Sequence, residues 1–251
     1  MSDVIDGFGW LATSSNWWGD DGLARRTCEH LWYSLLAISI ALVIAAPIGA
    51  YIGHSGRGRF AASSVSNLMR AVPTIGVVTV LYRWRPLGPY PIVALAILAV
   101  PPIMLGISAG IDAVDREVRD AARGMGLTQW QVLTRAELPC ALPLALAGVR
   151  SAANQVIATA TILGFFGLGG LGRYIFSGYG AQRYDEVDGA AIAVIALVLL
   201  VEVAFAVLQR LVVSPGIRTS VHSRPRDGRS RTVVPSITAA FTPSSPGGRS
   251  P

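Results

Sequence analysis

From Leu31 to Gly53 the chain runs for 23 residues without a charged side chain. As a helix that run is long enough to cross the hydrocarbon core of a bilayer, and no ordinary soluble fold needs it. Pro91 to Ile111 and Gly189 to Val213 repeat the pattern, the latter with Glu202 inside it and Arg210 near its end. Leu142 to Leu163 is a further run, carrying Arg150, Asn154 and Gln155. Ala61 to Tyr82 is interrupted by Asn67, Arg70 and Pro73, and its purely apolar part, Ala71 to Tyr82, is too short alone. A charged group at mid-span costs about 2.5 to 3.5 kcal/mol on insertion scales unless it finds water or a partner. Arg70, Arg150 and Asn154 are therefore expected to face the bundle interior, lining the interior path or bracing helices away from it. The reading is an all-α membrane protein of about five transmembrane helices. Pro47 should kink the first span, and Pro101-Pro102 should break the third.

Composition agrees, with 52% hydrophobic and only 14% charged residues. All 21 basic residues are Arg. A P-loop needs a Lys to reach nucleotide phosphates, so no standard Walker A site exists here and any ATP chemistry must lie on a partner. Cys28 and Cys140 fall at opposite ends of different spans, which argues against a disulfide and offers no catalytic Cys/His pair. His30, His54 and His222 are scattered, so no metal site and no cofactor is expected. Met1 to Asp6 carries acids where a secretory signal would carry bases. No nucleic-acid partner is expected.

The one long polar segment between apolar runs lies at 112–139. Asp112/Arg116 and Asp115/Arg119 are spaced i,i+4 with the acid first, and Val114, Val118, Ala121/Ala122 and Met125 form an apolar stripe. A short amphipathic helix follows from that pattern. Gly124 and Gly126 should end it. Thr128 and Gln131 read as a capping box for a second helix, stapled by Leu127 and Val132 and ended by Pro139.

Asp120-Ala121-Ala122, then Gly126, Ala136 and Leu138-Pro139 at their offsets, resemble the EAA loop of binding-protein-dependent ABC transporter permeases. Asp120 stands where that family usually has Glu, and Ala136 where it usually has Ile; neither swap removes the charge or the turn. Met69-Arg70-Ala71-Val72-Pro73-Thr74, Gly148-Val149-Arg150, Ala158-Thr159-Ala160-Thr161 and Gly167-Leu168-Gly169-Gly170-Leu171-Gly172 resemble the branch that imports glycine betaine, choline, carnitine, proline and related osmoprotectants. The resemblance runs from about His30 to about Val213. It implies a MetI-like bundle, not an enzyme, in which Asp120, Ala121, Ala122, Gly126, Leu138 and Pro139 contribute to a loop that docks a cytoplasmic ABC ATPase. It also implies a second permease subunit, the same chain or a paralogue, and an extracytoplasmic substrate-binding protein. A permease for an amino acid or a methionine-like solute is an alternative, and a secondary transporter or an intramembrane enzyme are rivals of other classes. The first of those rivals should show two matching halves, and the second a cluster of His, Asp or Glu; neither pattern is visible.

Three regions remain. Gly167, Gly169, Gly170 and Gly172 are expected to form a tight extracytoplasmic turn near a gate, or merely close packing. Residues 1–30, with Trp10, Trp17 and Trp18, read as an interfacial lead-in, with an aromatic cage for a quaternary ammonium as the sharper alternative. The permease domain then spans 31–213. The tail 214–251 is poor in large apolar residues and should be a disordered cytoplasmic segment whose arginines could touch anionic membrane lipid. Arg57, Arg59, Arg116, Arg119, Arg123, Arg135, Arg210 and the tail outnumber Arg25, Arg26, Arg83, Arg85, Arg173 and Arg183 on the other face. That bias places the N-terminus outside and the C-terminus, with the 112–139 loop, in the cytoplasm of a cell bounded by this membrane.

Overall fold

The structure, a computed structural model, describes residues 2–71, 74–84 and 90–212. Pro73, the Arg85-Pro86 turn and the 214–251 tail lie outside the described residues, as does the side chain of Arg70. The helices in order are α1 (Ser2–Ala12), α2 (Leu23–Ser55), α3 (Arg59–Ala71), α4 (Thr74–Trp84), α5 (Tyr90–Asp112), α6 (Arg116–Gly124), α7 (Gln129–Val132), α8 (Leu138–Ala160), α9 (Gly172–Gly180) and α10 (Tyr184–Val212). A π turn, Leu133–Glu137, joins α7 to α8, and a 3-10 turn, Thr161–Phe166, follows α8. No strand occurs among the described residues.

Four helical stretches are long and apolar enough to span a membrane, namely Leu23–Ser55, Ile92–Asp112, Gln129–Phe166 and Tyr184–Val212. Arg59–Met69 with Thr74–Arg83 makes a fifth only as a pair bent by 81°. Such a bent pair is a broken span or a re-entrant loop, and either suits its polar half.

The centre of the bundle is α5, held between α2 and α8. Small residues explain how. Ala37, Ala41, Ala45, Gly49 and Gly53 recur every fourth residue along one buried stripe of α2. A Cβ on Gly49 would lie 2.7 Å from the Met104 carbonyl, and one on Gly53 2.8 Å from the Ile111 Cβ. On the other side, a Cβ on Gly106 would lie 2.6 Å from the Gly148 Cα, and one on Gly110 2.6 Å from the Ala141 carbonyl. In lipid, where side-chain burial brings little hydrophobic gain, such backbone approach supplies the dispersion contacts that hold helices together. Leu95, Ile103 and Ile111 fill the remaining space. A second apolar cluster, Leu23, Ile157, Leu171, Tyr174, Ala190 and Leu197, joins α10 and α9 to α8 and the start of α2.

Several boundaries differ from the sequence expectation. Pro101 and Pro102 lie inside an unbroken α5. A proline forfeits one hydrogen bond and crowds the carbonyl four residues back, but flanking helices hold such a segment helical in a membrane. The first spanning helix starts at Leu23, ahead of Leu31, because Arg25, Arg26 and Glu29 on its first turns pair with each other and with Asp20 and Asp21. The connector ahead of the last span is helical too, with α9 and an α10 that begins at Tyr184. Cys28 and Cys140 are both free.

Candidate functional site

The polar loop is built by two capping devices in succession. Asp115, with φ −56° and ψ 141°, turns the chain into α6. At its far end the Gly126 N–H donates to the Arg123 carbonyl at 2.9 Å and the Leu127 N–H to the Ala122 carbonyl at 3.3 Å. That is a Schellman closure, and it needs a left-handed residue where Gly126 sits with φ +80°. Thr128 then opens α7. Its side chain accepts from the Gln131 N–H while the Gln131 side chain accepts from the Thr128 N–H at 2.9 Å, a reciprocal capping box.

The apolar stripe divides. Val114 and Ala122 are buried, whereas Val118, Met125 and Trp130 are exposed, the last two more than 70%. Asp120 and Ala121 are also exposed, and Asp120 has Arg123 beside it at 3.9 Å. The loop therefore presents three large apolar side chains among exposed charges, Asp115, Arg116, Glu117, Asp120 and Arg123. Gly124 closes α6 but does not make the turn; a Cβ on either Gly124 or Gly126 would meet nothing within 4 Å.

Two expectations about this segment are corrected. The i,i+4 pairs are replaced by longer-range ones: Asp112 is paired with Arg59, and the Arg119 Nε lies 3.0 Å from Glu137 Oε1. Pro139 does not end the second helix. The Leu138 N–H donates to the Leu133 carbonyl, five residues back, and this wider turn relieves the crowding that a proline ring causes in α geometry. Leu138 and Pro139 accordingly start α8, Leu138 half-buried and packed on the main core, Pro139 exposed.

Within two of the long apolar helices, Arg150 and Asn154 of α8 meet Glu202 of α10. The guanidinium pairs with one carboxylate oxygen, and the Asn154 amide donates to the other at 2.7 Å. Both charged side chains remain one-third exposed. The three form a polar brace between two spans. Two opposite in-span charges were the sequence signal for it, since each needs a partner.

The glycine run makes a compact knot at the other end of α8. Gly167, Gly169 and Gly170 have φ of +72°, +90° and +69°. Gly172 has ordinary backbone but no room: a Cβ there would lie 1.8 Å from the Thr161 carbonyl. The knot is tied to the start of α2, where the Gly170 N–H donates to Glu29 Oε2 at 3.2 Å and Arg26 holds the same oxygen at 2.7 Å. Buried His30 has its Nε2 2.9 Å from the Ile157 carbonyl, so that nitrogen carries the proton. Just outside, Arg26 hydrogen-bonds Asp21 and holds its carboxyl below the usual carboxylate range. Sequence reasoning missed Glu29 and His30 as partners of the glycines because nothing local announces a contact between segments so far apart in the chain.

A cleft of about 480 Å³ beside this knot is lined by Trp10, Trp18 and Tyr174 together with Asp21, Arg173 and Glu186. Trp17 turns away and donates its Nε1–H to the Leu11 carbonyl at 2.7 Å, and Trp10 packs edge-on against Tyr174. The three tryptophans do not converge into a cage. No group of His, Cys, Asp or Glu suited to a metal occurs among the described residues.

Residues 41–218 match the family described as binding-protein-dependent transport system inner membrane component. The chain is 30% identical over 197 residues to the glycine betaine/carnitine/choline transport system permease protein OpuCB of Bacillus subtilis, covering 78% of this chain and 91% of that one. It is 34% identical over 197 residues to the carnitine transport permease protein OpuCB of Listeria monocytogenes, covering 78% and 90%. In fold it resembles a chain of the MetNI methionine ABC transporter in an inward-facing conformation, with TM-score 0.67, 21% identity and coverage of 76% and 96%.

Proposed function

The chain belongs to the binding-protein-dependent transport system inner membrane components, and from that premise we propose that it forms the translocation pathway for a small compatible solute. Glycine betaine, choline and carnitine are the leading solutes, as the names of its relatives suggest, with proline in the same class. Its place is the permease subunit of an ABC importer, driven by a separate ATPase and fed by a binding protein. A second permease subunit, this chain again or a paralogue, completes the pathway. The observation that carries the reading is the 116–132 loop, where Val118, Met125 and Trp130 stand exposed beside a Schellman turn at Gly126. Those residues give an ATPase groove something apolar to bind, and the glycine lets the chain turn back into the bundle.

In this reading the loop faces the cytoplasm and the N-terminus lies outside. ATP-driven closure of the partner moves the loop, and the glycine knot is the element at the far end that opens or shuts. Arg150 and Asn154, tied to Glu202, brace the spans that move; Arg70 and Pro73 remain candidates for the path. An amino acid or methionine-like solute is the alternative cargo. Hydrolysis by the reconstituted importer, stimulated in turn by betaines, choline, carnitine, proline and methionine, decides between them. Stimulation by methionine alone would reassign the solute, and stimulation by none with the cognate binding protein present would remove the osmoprotectant reading.

A further inference from the structure

Glu137 is 1% exposed, far more buried than any other acid near the loop; two elements reach it directly and a third through Arg119. The His54 Nδ1, from the last turn of α2, lies 2.6 Å from Glu137 Oε2. Arg119, from the middle of α6, places its Nε 3.0 Å from Oε1 and donates through Nη2 to the Ile111 carbonyl at the end of α5. Glu137 itself closes the π turn that joins the loop to α8. A buried carboxylate is tolerated only when paired, and removing a partner leaves a charge stranded. The ends of α2 and α5, the loop helix α6 and the root of α8 thus share one desolvated contact.

We propose that Glu137 is a positioning residue, a latch that holds α6 against the ends of α2 and α5 so that displacement of the loop is passed to the spans. The proposal rests on the reading of the loop as the ATPase contact. The π turn makes such a latch necessary. With its i→i−5 bonding it is the locally weak point between α7 and α8, and without a fixed contact the loop could swing there while the bundle stayed still.

In the assembled importer, Glu137→Gln is expected to lower solute taken up per ATP hydrolysed roughly ten-fold, the size that follows from losing one charge-assisted hydrogen bond. The ATPase should still co-purify. Spin labels at Arg57 and Arg116, in a background without Cys28 and Cys140, should give a narrow distance distribution in the parent and a broad one in Glu137→Gln. A narrow distribution in Glu137→Gln, whatever the uptake, overturns the latch, and so does a broad one with native uptake per ATP. If Glu137→Gln fails to insert, Arg119→Gln, which leaves the acid with His54, carries the same expectations and the same overturning results. Gly126→Asp separates this proposal from the reading beneath it. Should Gly126→Asp also keep native uptake per ATP, the docking assignment fails and the latch with it; should it uncouple while Glu137→Gln and Arg119→Gln do not, the latch alone fails.

Discussion

Glycine serves two different purposes at the two ends of α8, and substitutions separate them. At Gly126 the backbone is left-handed and the space beyond Cα is empty, so strain comes from φ alone. Asn tolerates that region better than other non-glycine residues, and a β-branched residue tolerates it least. Gly126→Asn should melt close to the parent, whereas Gly126→Val should lose about 1 to 2 kcal/mol of stability by chemical denaturation in detergent. Equal losses would mean that φ is not the constraint. At Gly172 the order should vanish, since any Cβ falls on the Thr161 carbonyl, and even Gly172→Ala should impair folding. The Arg150 and Glu202 pair is open to a cycle: Arg150→Met or Glu202→Leu alone should each lower stability, and the double variant should recover most of the loss. Additive losses would show that the two side chains do not brace one another.

At the scale of elements, α5 depends on glycine contacts with α8. Gly106→Leu should separate the two helices and abolish a monodisperse detergent-solubilised protein, while a leucine on the exposed face of α10 should be silent; a well-behaved Gly106→Leu protein would contradict the close approach. The knot at the other end has a pH dependence of definite sign. Asp21 has its carboxyl pKa lowered by Arg26, so the stabilisation it lends is present above the ordinary carboxylate range and is lost as pH falls through its lowered value. Protection factors of the amides in residues 166–174, exchange being corrected for its intrinsic pH dependence, should be flat from neutral pH to that range and fall only in stronger acid; a fall near neutrality would point to a histidine instead. The apolar runs made the spans legible, and Gly126 with the Thr128 and Gln131 box made the loop's local geometry legible, because both are written in short-range pattern. The prolines at 101, 102 and 139 misled, since their effect is decided by what packs around them. Glu137 was illegible for the same reason, its partner His54 being 83 residues away in the chain.

For the whole molecule, the two native cysteines report orientation. Cys28 is exposed near the start of α2, and half-buried Cys140 sits at the root of α8 beside the loop. If the N-terminus is outside, a membrane-impermeant maleimide applied to intact cells should label Cys28 and spare Cys140. Labelling of Cys140 alone would invert the topology and put the loop out of an ATPase's reach. The stretch Gln129–Phe166 is helical over 38 residues, on the order of 57 Å at the usual rise, with one joint at the π turn. It meets the central helix closely at two places, Gly148 against Gly106 near its midpoint and Ala141 against Gly110 nearer the loop. A beam pinned at two points about two turns apart does not pivot by itself, so a push at its loop end would carry the central helix along with it.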